Sequence, residues 1–292
     1  MDEPFDCIVV GGGAAGLSAA VALGRSRRSV TVLDAGSPRN APAEGVHNFL
    51  TRDGTPPAEL YRLGRAEVAG YGGQFRDGEA VSARAVDGGF RVLLDNGDEV
   101  EARRLLVATG LTDELPDVPG LAQRWGRDVI HCPYCHGWEV RDQRIGVLGS
   151  AATGHQAPLF RQLSPHVLVL ANGLDGIEVP GIPTEYGLVA AVEVTDDRLS
   201  GVRLDDGRSV PLDALVVSPR FHVRAGLLAS LGLKTVETEV GDVVPAEPDG
   251  ATEIPGVWVA GNLTNPMIQV VGAAAAGLTA GARINFDLIT GP

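Results

Sequence analysis

The sequence predicts an α/β protein with two strand–turn–helix–strand units, the arrangement from which nucleotide-binding domains are built. A glycine-rich turn at residues 11–16 separates an apolar run from a helical segment, and the same order returns at residues 144–170. In addition, 39 of the 292 residues are glycine, about twice the usual ~7%, in a chain that is 44% hydrophobic. Glycines in so apolar a chain indicate tight turns between buried strands and helices.

The first unit lies at the N-terminal end. Residues 6–10 fit a short buried parallel strand, residues 17–28 have the composition of a helix, and residues 30–33 form the next strand. Residues 11–16 read Gly-Gly-Gly-Ala-Ala-Gly, which matches the pattern G-x-G-x-x-G, and Asp34 follows the second strand. The unit therefore has the order of a dinucleotide-binding motif.

Each residue type in this motif has a physical role. Gly11 allows the tight turn, Gly13 lets a pyrophosphate approach the backbone, and Gly16 allows the helix to pack closely on the strand. The helix N-terminus then faces the phosphates, and Asp34 can accept hydrogen bonds from a ribose. The glycine pattern alone is a weak signal that a turn without a ligand also produces, but here the strand, the helix and the acid are all in place.

A hairpin and a second buried strand follow the first unit. Residues 91–100 alternate in polarity around an Asp-Asn-Gly-Asp turn and predict a hairpin. Residues 104–110 form an apolar strand that ends in Ala108, Thr109 and Gly110. Prolines and a glycine at 116–120 then break the chain and mark a domain boundary.

The second unit repeats the order of the first. Residues 144–148 predict a strand, residues 149–154 a glycine turn and residues 157–163 a short helix. Further strands are predicted at 166–170 and 212–217. The final segment has a strand at 257–259, the turn residues Gly261 and Asn262, and a helix from Gln269 to about residue 289.

A C-x-x-C motif lies between the two units. Cys132 and Cys135 can close a disulfide, and the flanking His131 and His136 can hold a proton or stabilise a thiolate. A zinc site is an alternative, but Cys7 lies on a buried strand, and the two histidines are too close in sequence to surround one ion with both thiols easily. Redox chemistry is favoured over zinc binding and over inert thiols, and we predict no metal.

Charge and composition exclude several classes of partner. The net charge of −13 argues against nucleic acid and against an anionic membrane surface, because both require basic patches. The longest uncharged apolar stretch, residues 270–282, is shorter than the ~20 residues of a membrane span. The N-terminal Met-Asp-Glu-Pro is acidic where a signal peptide is basic, and three cysteines do not make a disulfide framework. We therefore predict a cytoplasmic protein without a membrane or nucleic-acid partner.

Taken together, the motifs occur in the order found in thioredoxin reductases. The chain resembles the thioredoxin reductase-like flavoproteins, class II of the pyridine nucleotide-disulfide oxidoreductases, at residues 11–16, 108–110, 132–135 and 255–262. The resemblance implies two Rossmann-like domains for FAD and NAD(P) with three-layer ββα architecture, the second inserted in the first and shortened. It places an FAD domain at 1–112 and 220–292 and the C-x-x-C-bearing domain at 113–219, and it implies a homodimer.

The resemblance also implies which residues carry the chemistry. Cys135 is the cysteine normally proximal to the flavin, Cys132 exchanges with substrate, and His136 or His131 relays protons. Asn262 stands where the family usually has Asp. We predict that FAD contacts Gly11, Gly13, Ala14, Ala15, Gly16, Asp34, Arg39, Asn40, His47, Asn48, Ala108, Thr109, Gly110, Gly261, Asn262, Gln269 and Val270.

The sequence departs from the reductase pattern at the thiols and in the second unit. His136 replaces the usual acid after the second cysteine, and His131 precedes the first. Ala151 replaces a glycine of the second turn, Ala-Asn-Gly at 171–173 stands where the family has arginines for a 2′-phosphate, and residues 162–197 contain no Lys or Arg. A helix expected after residue 170 has no room, so NADPH is a doubtful cofactor.

These departures resemble small-molecule dithiol oxidases such as the gliotoxin and holomycin oxidases. The predicted function is FAD-dependent oxidation of a dithiol to a disulfide with O2 as acceptor. The alternative is an NADPH-dependent reductase that acts on a thioredoxin-like protein, and a more distant one is a non-catalytic binding protein that keeps the fold.

Overall fold

The computed structural model describes residues 3–291. Met1 and Asp2, the start of the acidic N-terminus considered above, lie outside the described residues. The chain forms two compact units, one from residues up to 41, 56–112 and 221 onward, the other from residues 42–55 and 113–220. The predicted boundaries placed residues 42–55 in the first domain. They group with the second because this loop closes on itself between Val46 and Thr55 and bonds to the C-x-x-C turn.

The first unit begins with a largely parallel sheet. Its elements are β1 (Phe5–Val10), α1 (Ala14–Arg25), β2 (Val30–Asp34), α2 (Pro57–Gly70), β3 (Gln74–Asp77), β4 (Ala80–Val86), β5 (Gly89–Leu94), β6 (Glu99–Val107) and β7 (Leu111–Glu114). The strand order is β3-β2-β1-β6-β5-β4. β1 is central because its last four residues, Cys-Ile-Val-Val, are all buried. The carboxyl ends of β1, β2 and β6 meet at one edge, as Val10 pairs with Leu33 and with Val107.

The second unit has its own parallel sheet. Its elements are β8 (Val129–Ile130), α3 (Pro133–His136), β9 (Ile145–Leu148), α4 (Thr153–Arg161), β10 (Val167–Leu170), β11 (Thr184–Glu185), β12 (Val189–Thr195), β13 (Arg198–Leu204), β14 (Ser209–Pro211) and β15 (Ala214–Val216). The parallel order is β11-β10-β9-β15-β8, and β12-β13-β14 form an antiparallel sheet. The helix expected after β10 is absent from the described residues 171–183, which form turns and one bridge.

The chain then returns to the first unit. The remaining elements are β16 (Arg220–Val223), α5 (Ala225–Leu231), β17 (Val236–Thr238), β18 (Gly241–Val243), β19 (Val257–Val259) and α6 (Val270–Thr290). β19 joins the first sheet parallel to β6. α6 packs against α1 so closely that a Cβ at Gly277 would lie 1.9 Å from the Ala15 carbonyl oxygen. The parallel strands pack on one face against α1 and α6, and on the other they share a core with the antiparallel extension β4–β5 and with α5, which gives the predicted layered α/β fold.

Within residues 3–291, no helix has the length and apolar character needed to cross a membrane.

Candidate active site

The first glycine turn is tight at two glycines and open at a third. A Cβ built at Gly11 would lie 2.3 Å from the Ala108 carbonyl oxygen, and one at Gly16 would lie 1.9 Å from the Gly11 carbonyl oxygen. Gly11 also has a φ of 109°. A Cβ at Gly13, in contrast, meets no atom of residues 3–291 within 4 Å. Gly11 and Gly16 therefore make the turn, and the space beside Gly13 is where a ligand can approach the backbone.

The helix after this turn can bind an anion at its start. α1 begins at Ala14, and Ala14, Ala15 and Gly16 form its first turn. The N–H groups of a first helical turn have no acceptor within the helix, and the cap residue Gly13 has no side chain to supply one. Together with the positive end of the helix dipole, they supply the donors that a phosphate requires.

Asp34 lies beside the same turn, at the end of β2. Its carboxylate accepts hydrogen bonds from the N–H groups of Gly12 at 3.2 Å and Gly36 at 3.3 Å, and Arg65 Nη1 lies 3.2 Å from its Oδ2. The Arg65 guanidinium also stacks over the Phe75 ring at 4.1 Å. Asp34 thus supports the turn and forms an ion pair, while its contact with a ribose stays a prediction. Sequence reasoning missed Arg65 because α2 belongs to no motif.

The segment after β6 completes the cradle. The Ala108 N–H donates to the Val10 carbonyl oxygen at 2.7 Å, and Gly110 has a φ of 68°. Among the described residues, the buried Thr109 hydroxyl has no hydrogen-bond partner. An unpartnered buried hydroxyl costs about 1–3 kcal/mol and indicates a group that the chain does not supply. The open space at Gly13, the N–H groups of α1 and this hydroxyl fit a dinucleotide such as FAD.

The C-terminal segment brings a second helix start to the unit. Gly261 follows β19 with a φ of 80°, and α6 begins at Val270 with Gln269 as its cap. The Asn262 side-chain NH2 donates, at 3.1–3.2 Å, to the carbonyl oxygens of Asn265, Pro266 and Ile268. The nitrogen of Asn262 thus holds the loop before α6, and the predicted contact with FAD would use its oxygen.

Arg39 and Asn40 are held within this unit. The Arg39 guanidinium lies 4.8 Å from the centre of the Phe221 ring. The Asn40 side-chain oxygen accepts a hydrogen bond from the Tyr61 hydroxyl at 2.9 Å. Burial raises the pKa of Tyr61, which keeps its hydroxyl a donor. Their contact with the adenosine of FAD stays a prediction.

The C-x-x-C turn holds two thiols side by side in the second unit. Cys132 precedes α3, and the N–H groups of Cys135 and His136 both lie 3.2 Å from its carbonyl oxygen. The two Sγ atoms are 2.8 Å apart, within reach of a disulfide bond of ~2.05 Å. A Cβ at Gly137 would lie 2.2 Å from the Pro133 carbonyl oxygen, so this turn requires glycine. The two thiols are therefore close enough to form a disulfide bond.

The third cysteine has a different environment. Cys7 is completely buried on β1, and burial raises the pKa of its thiol far above the ordinary range. Because the thiolate is the reactive form, Cys7 is inert. In the part of the chain that the structure describes, no group of three or more His, Cys, Asp or Glu side chains could hold a metal ion.

His136 lies next to Cys135 with its imidazole buried. Neither ring nitrogen has a hydrogen-bond partner within residues 3–291. Burial lowers the pKa of His136 below its ordinary 6.5, the charge of Glu139 raises it, and His47 and His131 lower it. At neutral pH the ring is therefore neutral, with a lone pair available to a thiol proton.

The loop at residues 42–55 holds the C-x-x-C turn. The Asn48 side-chain NH2 donates to the Tyr134 carbonyl oxygen, between the two cysteines, at 2.7 Å. His47 Nε2 lies 3.4 Å from a carboxylate oxygen of Glu139. We assigned His47 and Asn48 to FAD from the sequence; the structure shows both in contact with the dithiol segment, and a contact with FAD stays a prediction.

His131 follows β8 and is held by the neighbouring strand β15. Its Nδ1 lies 2.9 Å from the Val217 carbonyl oxygen and 3.3 Å from Gln156 Nε2. Nδ1 thus lies between a carbonyl oxygen, which can only accept a hydrogen bond, and an amide nitrogen, which can only donate one. Sequence reasoning missed Gln156, which belongs to no motif, and Glu139.

The second glycine turn satisfies its own backbone. The Ser150 N–H donates to Thr153 Oγ1 at 2.9 Å, and the Ala152 N–H donates to Ser150 Oγ at 3.2 Å. Thr153 is completely buried. In a G-x-G-x-x-G turn, these are the N–H groups that receive a pyrophosphate. Here a phosphate would have to displace internal hydrogen bonds and pass the methyl group of Ala151.

The arginine that reaches β11, Arg208, is already paired with carboxylates. Arg208 lies 3.0 Å from a carboxylate oxygen of Glu185, on β11, and 2.7 Å from one of Asp206. Residues 162–197 contain no Lys or Arg. The side of the unit where a 2′-phosphate would bind is therefore poor in the arginines that such a group requires.

Comparison with known proteins gives matches over nearly the whole chain. Residues 5–174 match the family described as pyridine nucleotide-disulphide oxidoreductase. The chain is 34% identical to "Thioredoxin reductase sirT" of Leptosphaeria maculans, over 98% of this chain and 94% of that protein. Among solved structures, HlmI has a TM-score of 0.90 at 41% identity, covering 99% of this chain and 94% of that one. An oxidoreductase from Agrobacterium tumefaciens has a TM-score of 0.93 at 31% identity, covering 99% and 100%.

The substitution Gly13→Val should yield colourless protein. No described atom lies within 4 Å of the Cβ position at Gly13, so the valine takes only the space that the pyrophosphate needs. The measurement is flavin absorbance per chain after purification. Gly154→Val is the control, because Gly154 lies in the second glycine turn and a Cβ there is equally free of described atoms within 4 Å. A Gly13→Val protein that purifies with one FAD per chain would refute the assignment of the cradle.

Proposed function

The chain belongs to the pyridine nucleotide-disulphide oxidoreductase family as a thioredoxin reductase-like, FAD-binding enzyme, and we propose that it oxidises a small dithiol to a disulfide with O2 as the final acceptor. In this reaction one dithiol and one O2 give one intramolecular disulfide and one hydrogen peroxide. Two electrons and two protons pass from the dithiol to oxygen, so no pyridine nucleotide enters the balance.

The observation that carries the proposal is the closed second glycine turn. Its N–H groups are bonded to Ser150 and Thr153, and the segment after β10 has no arginine for a phosphate. The loss of two charge-assisted phosphate contacts, at about 1.5–3 kcal/mol each, weakens binding on the order of 10²–10⁴-fold. With NADPH so disfavoured, electrons must enter through the thiols.

The cysteine pair and its histidines supply the thiol chemistry. We propose that a substrate thiolate attacks Cys132 of the oxidised pair and releases Cys135 as a thiolate. The second substrate thiol then displaces Cys132 and closes the substrate disulfide. His136 accepts a proton in this sequence, since its ring is neutral and its nitrogens have no partner among residues 3–291. FAD, when bound, supplies a two-electron acceptor that oxygen reoxidises.

The surroundings of the thiols favour a small apolar substrate. Tyr134, Trp138 and Leu50 expose 63%, 66% and 87% of their surface, and the first two lie one turn apart on the C-x-x-C segment. The hydrogen bond from Asn48 to Tyr134 brings the loop of Leu50 to the same segment. A stable protein interface buries ~800 Å² per partner, and a surface of a few exposed side chains suits a small molecule better.

An alternative function comes from the name of a relative. The name thioredoxin reductase, carried by the relative sirT, favours an NADPH-dependent reductase that acts on a thioredoxin-like protein.

We also propose a homodimer, because α6 exposes Val271, Leu278, Phe286 and Ile289 along one stripe. A cytoplasmic location stays a prediction from the sequence.

The proposed stoichiometry can be measured without NADPH. With a small aromatic dithiol in air, the enzyme should consume one O2 and form one hydrogen peroxide per disulfide. Cys135→Ser should lose this turnover and keep its FAD, because serine cannot form the disulfide. Cys7→Ser is the control and should retain activity, since the Cys7 thiol is buried on β1 and donates to the Ile8 carbonyl oxygen. Turnover that persists in Cys135→Ser would exclude the thiol mechanism.

The pH dependence of dithiol oxidation should report His136. Because burial lowers its pKa below 6.5, activity should be full at neutral pH and fall as the pH drops through that lowered value. Glu139→Gln removes the charge that raises this pKa, so the acid limb should move to lower pH. Glu193→Gln is the control, because Glu193 lies on β12 and is not among the charges that act on His136, so the limb should stay in place. A limb that does not move in Glu139→Gln would contradict the role of His136.

A further inference from the structure

We propose that Arg65 is a positioning residue of the FAD site. It holds the carboxylate of Asp34 so that one oxygen, Oδ2, keeps a single acceptor position for the 2′-hydroxyl of the adenosine ribose. This role in FAD binding is separate from the dithiol chemistry proposed above. It rests on the predicted contact between Asp34 and the ribose, and it names the residue that orients the acid for that contact.

The acceptor positions of Asp34 can be counted. A carboxylate offers about four, two on each oxygen. Oδ1 accepts hydrogen bonds from the N–H groups of Gly12 at 3.2 Å and Gly36 at 3.3 Å, which use both of its positions. Oδ2 accepts from Arg65 Nη1 at 3.2 Å and has no other donor among residues 3–291. One position on Oδ2 is therefore left for a ligand, and it fits one ribose hydroxyl.

This carboxylate oxygen lies against the glycine turn. A Cβ built at Gly12 would lie 2.4 Å from Asp34 Oδ2, so the turn has room for this oxygen because residue 12 is glycine. The next glycine, Gly13, leaves open the space where a pyrophosphate can approach. In a dinucleotide-binding motif the ribose beside the pyrophosphate meets the acid at the end of the second strand. The remaining acceptor position of Asp34 is thus on the side that the ligand occupies.

Arg65 bridges two carboxylates at the edge of the sheet. Asp34 ends β2, Asp77 ends β3, and the two residues are paired in register in the parallel sheet. Neighbouring strands lie about 4.8 Å apart, so the two like charges repel each other. Arg65 Nη1 lies 3.2 Å from Asp34 Oδ2, and its Nη2 lies 3.3 Å from Asp77 Oδ1. Without the guanidinium between them, we expect the repulsion to turn Asp34 out of its position.

The packing of α2 orients the guanidinium. It stacks over the Phe75 ring at 4.1 Å, a favourable contact between a cation and an aromatic face. α2 packs closely on α1 at Gly64, where a Cβ would lie 2.9 Å from Leu17 Cδ1. Tyr61, one turn before Arg65, packs against the same core. The helix therefore brings a pre-oriented arginine to the ends of β2 and β3.

The test compares FAD with an analogue whose adenosine ribose lacks the 2′-hydroxyl. The full chain is freed of its flavin and titrated with each compound, and the change in flavin fluorescence gives the dissociation constant. The wild type should bind FAD about tenfold more tightly than the analogue, the effect of one hydrogen bond to a charged acceptor. Arg65→Gln should bind FAD about tenfold more weakly than the wild type does, and it should bind both compounds alike. Arg62→Gln removes the same charge from α2, where Arg62 pairs with Glu59, and should behave as the wild type.

Two results would overturn the proposal: a wild type that binds both compounds equally, or an Arg65→Gln protein that keeps the preference for FAD. The first needs no variant, so an Arg65→Gln protein that fails to fold leaves the proposal open to refutation. A merely structural Arg65 would weaken the binding of both compounds by the same factor and keep the preference.

A lysine at the same position provides a second variant. Arg65→Lys keeps the charge, but an ammonium group does not present the planar fork that bridges two acids. The preference for FAD should therefore fall below that of the wild type, and an unchanged preference would also contradict the role of Arg65. Dithiol turnover does not enter these titrations, so a failure of the proposed function would leave their result unchanged.

Discussion

A helix that follows a parallel strand begins with backbone N–H groups that need acceptors. The two units of this chain differ in where those acceptors come from. In the first unit the chain leaves the space beside Gly13 open and places an unpartnered buried hydroxyl, that of Thr109 among the described residues, nearby. In the second unit Ser150 and Thr153 supply the acceptors themselves. The first turn thus leaves its donors open to a dinucleotide, whereas two N–H groups of the second turn already have side-chain acceptors.

The proposed chemistry of the thiols depends on a neutral imidazole at His136. Cys132 and Cys135 lie next to a buried His136 whose pKa is lowered by burial, and His131 Nδ1 lies 2.9 Å from the Val217 carbonyl oxygen. Replacing the family's acid at position 136 by histidine exchanges a group that is charged at neutral pH for one that can accept a proton there. This exchange suits a reaction in which a dithiol must lose two protons.

Much of the fold could be predicted from the sequence, because buried parallel strands and glycine turns have strong local signals. β1, the strand at 257–259, the absence of a helix after β10 and the separation into two units all have such signals. The place of residues 42–55 could not be predicted, since it depends on a hydrogen bond from Asn48 to Tyr134, 86 residues away. Gln156, Arg65 and Glu139 were missed for the same reason. Their roles come from tertiary contacts, which periodicity and motif spacing do not encode.

The central claim is that electrons enter this enzyme through its thiols and not from NADPH. Anaerobic stopped-flow mixing of the FAD-loaded enzyme with NADPH or with a small dithiol tests it most directly. The variant Cys135→Ser shows how much flavin a dithiol reduces directly, without the cysteine pair. The account predicts that the dithiol bleaches the flavin absorbance of the wild type only, that air restores it, and that micromolar NADPH leaves it unchanged. Rapid bleaching by micromolar NADPH would contradict the account and establish a reductase.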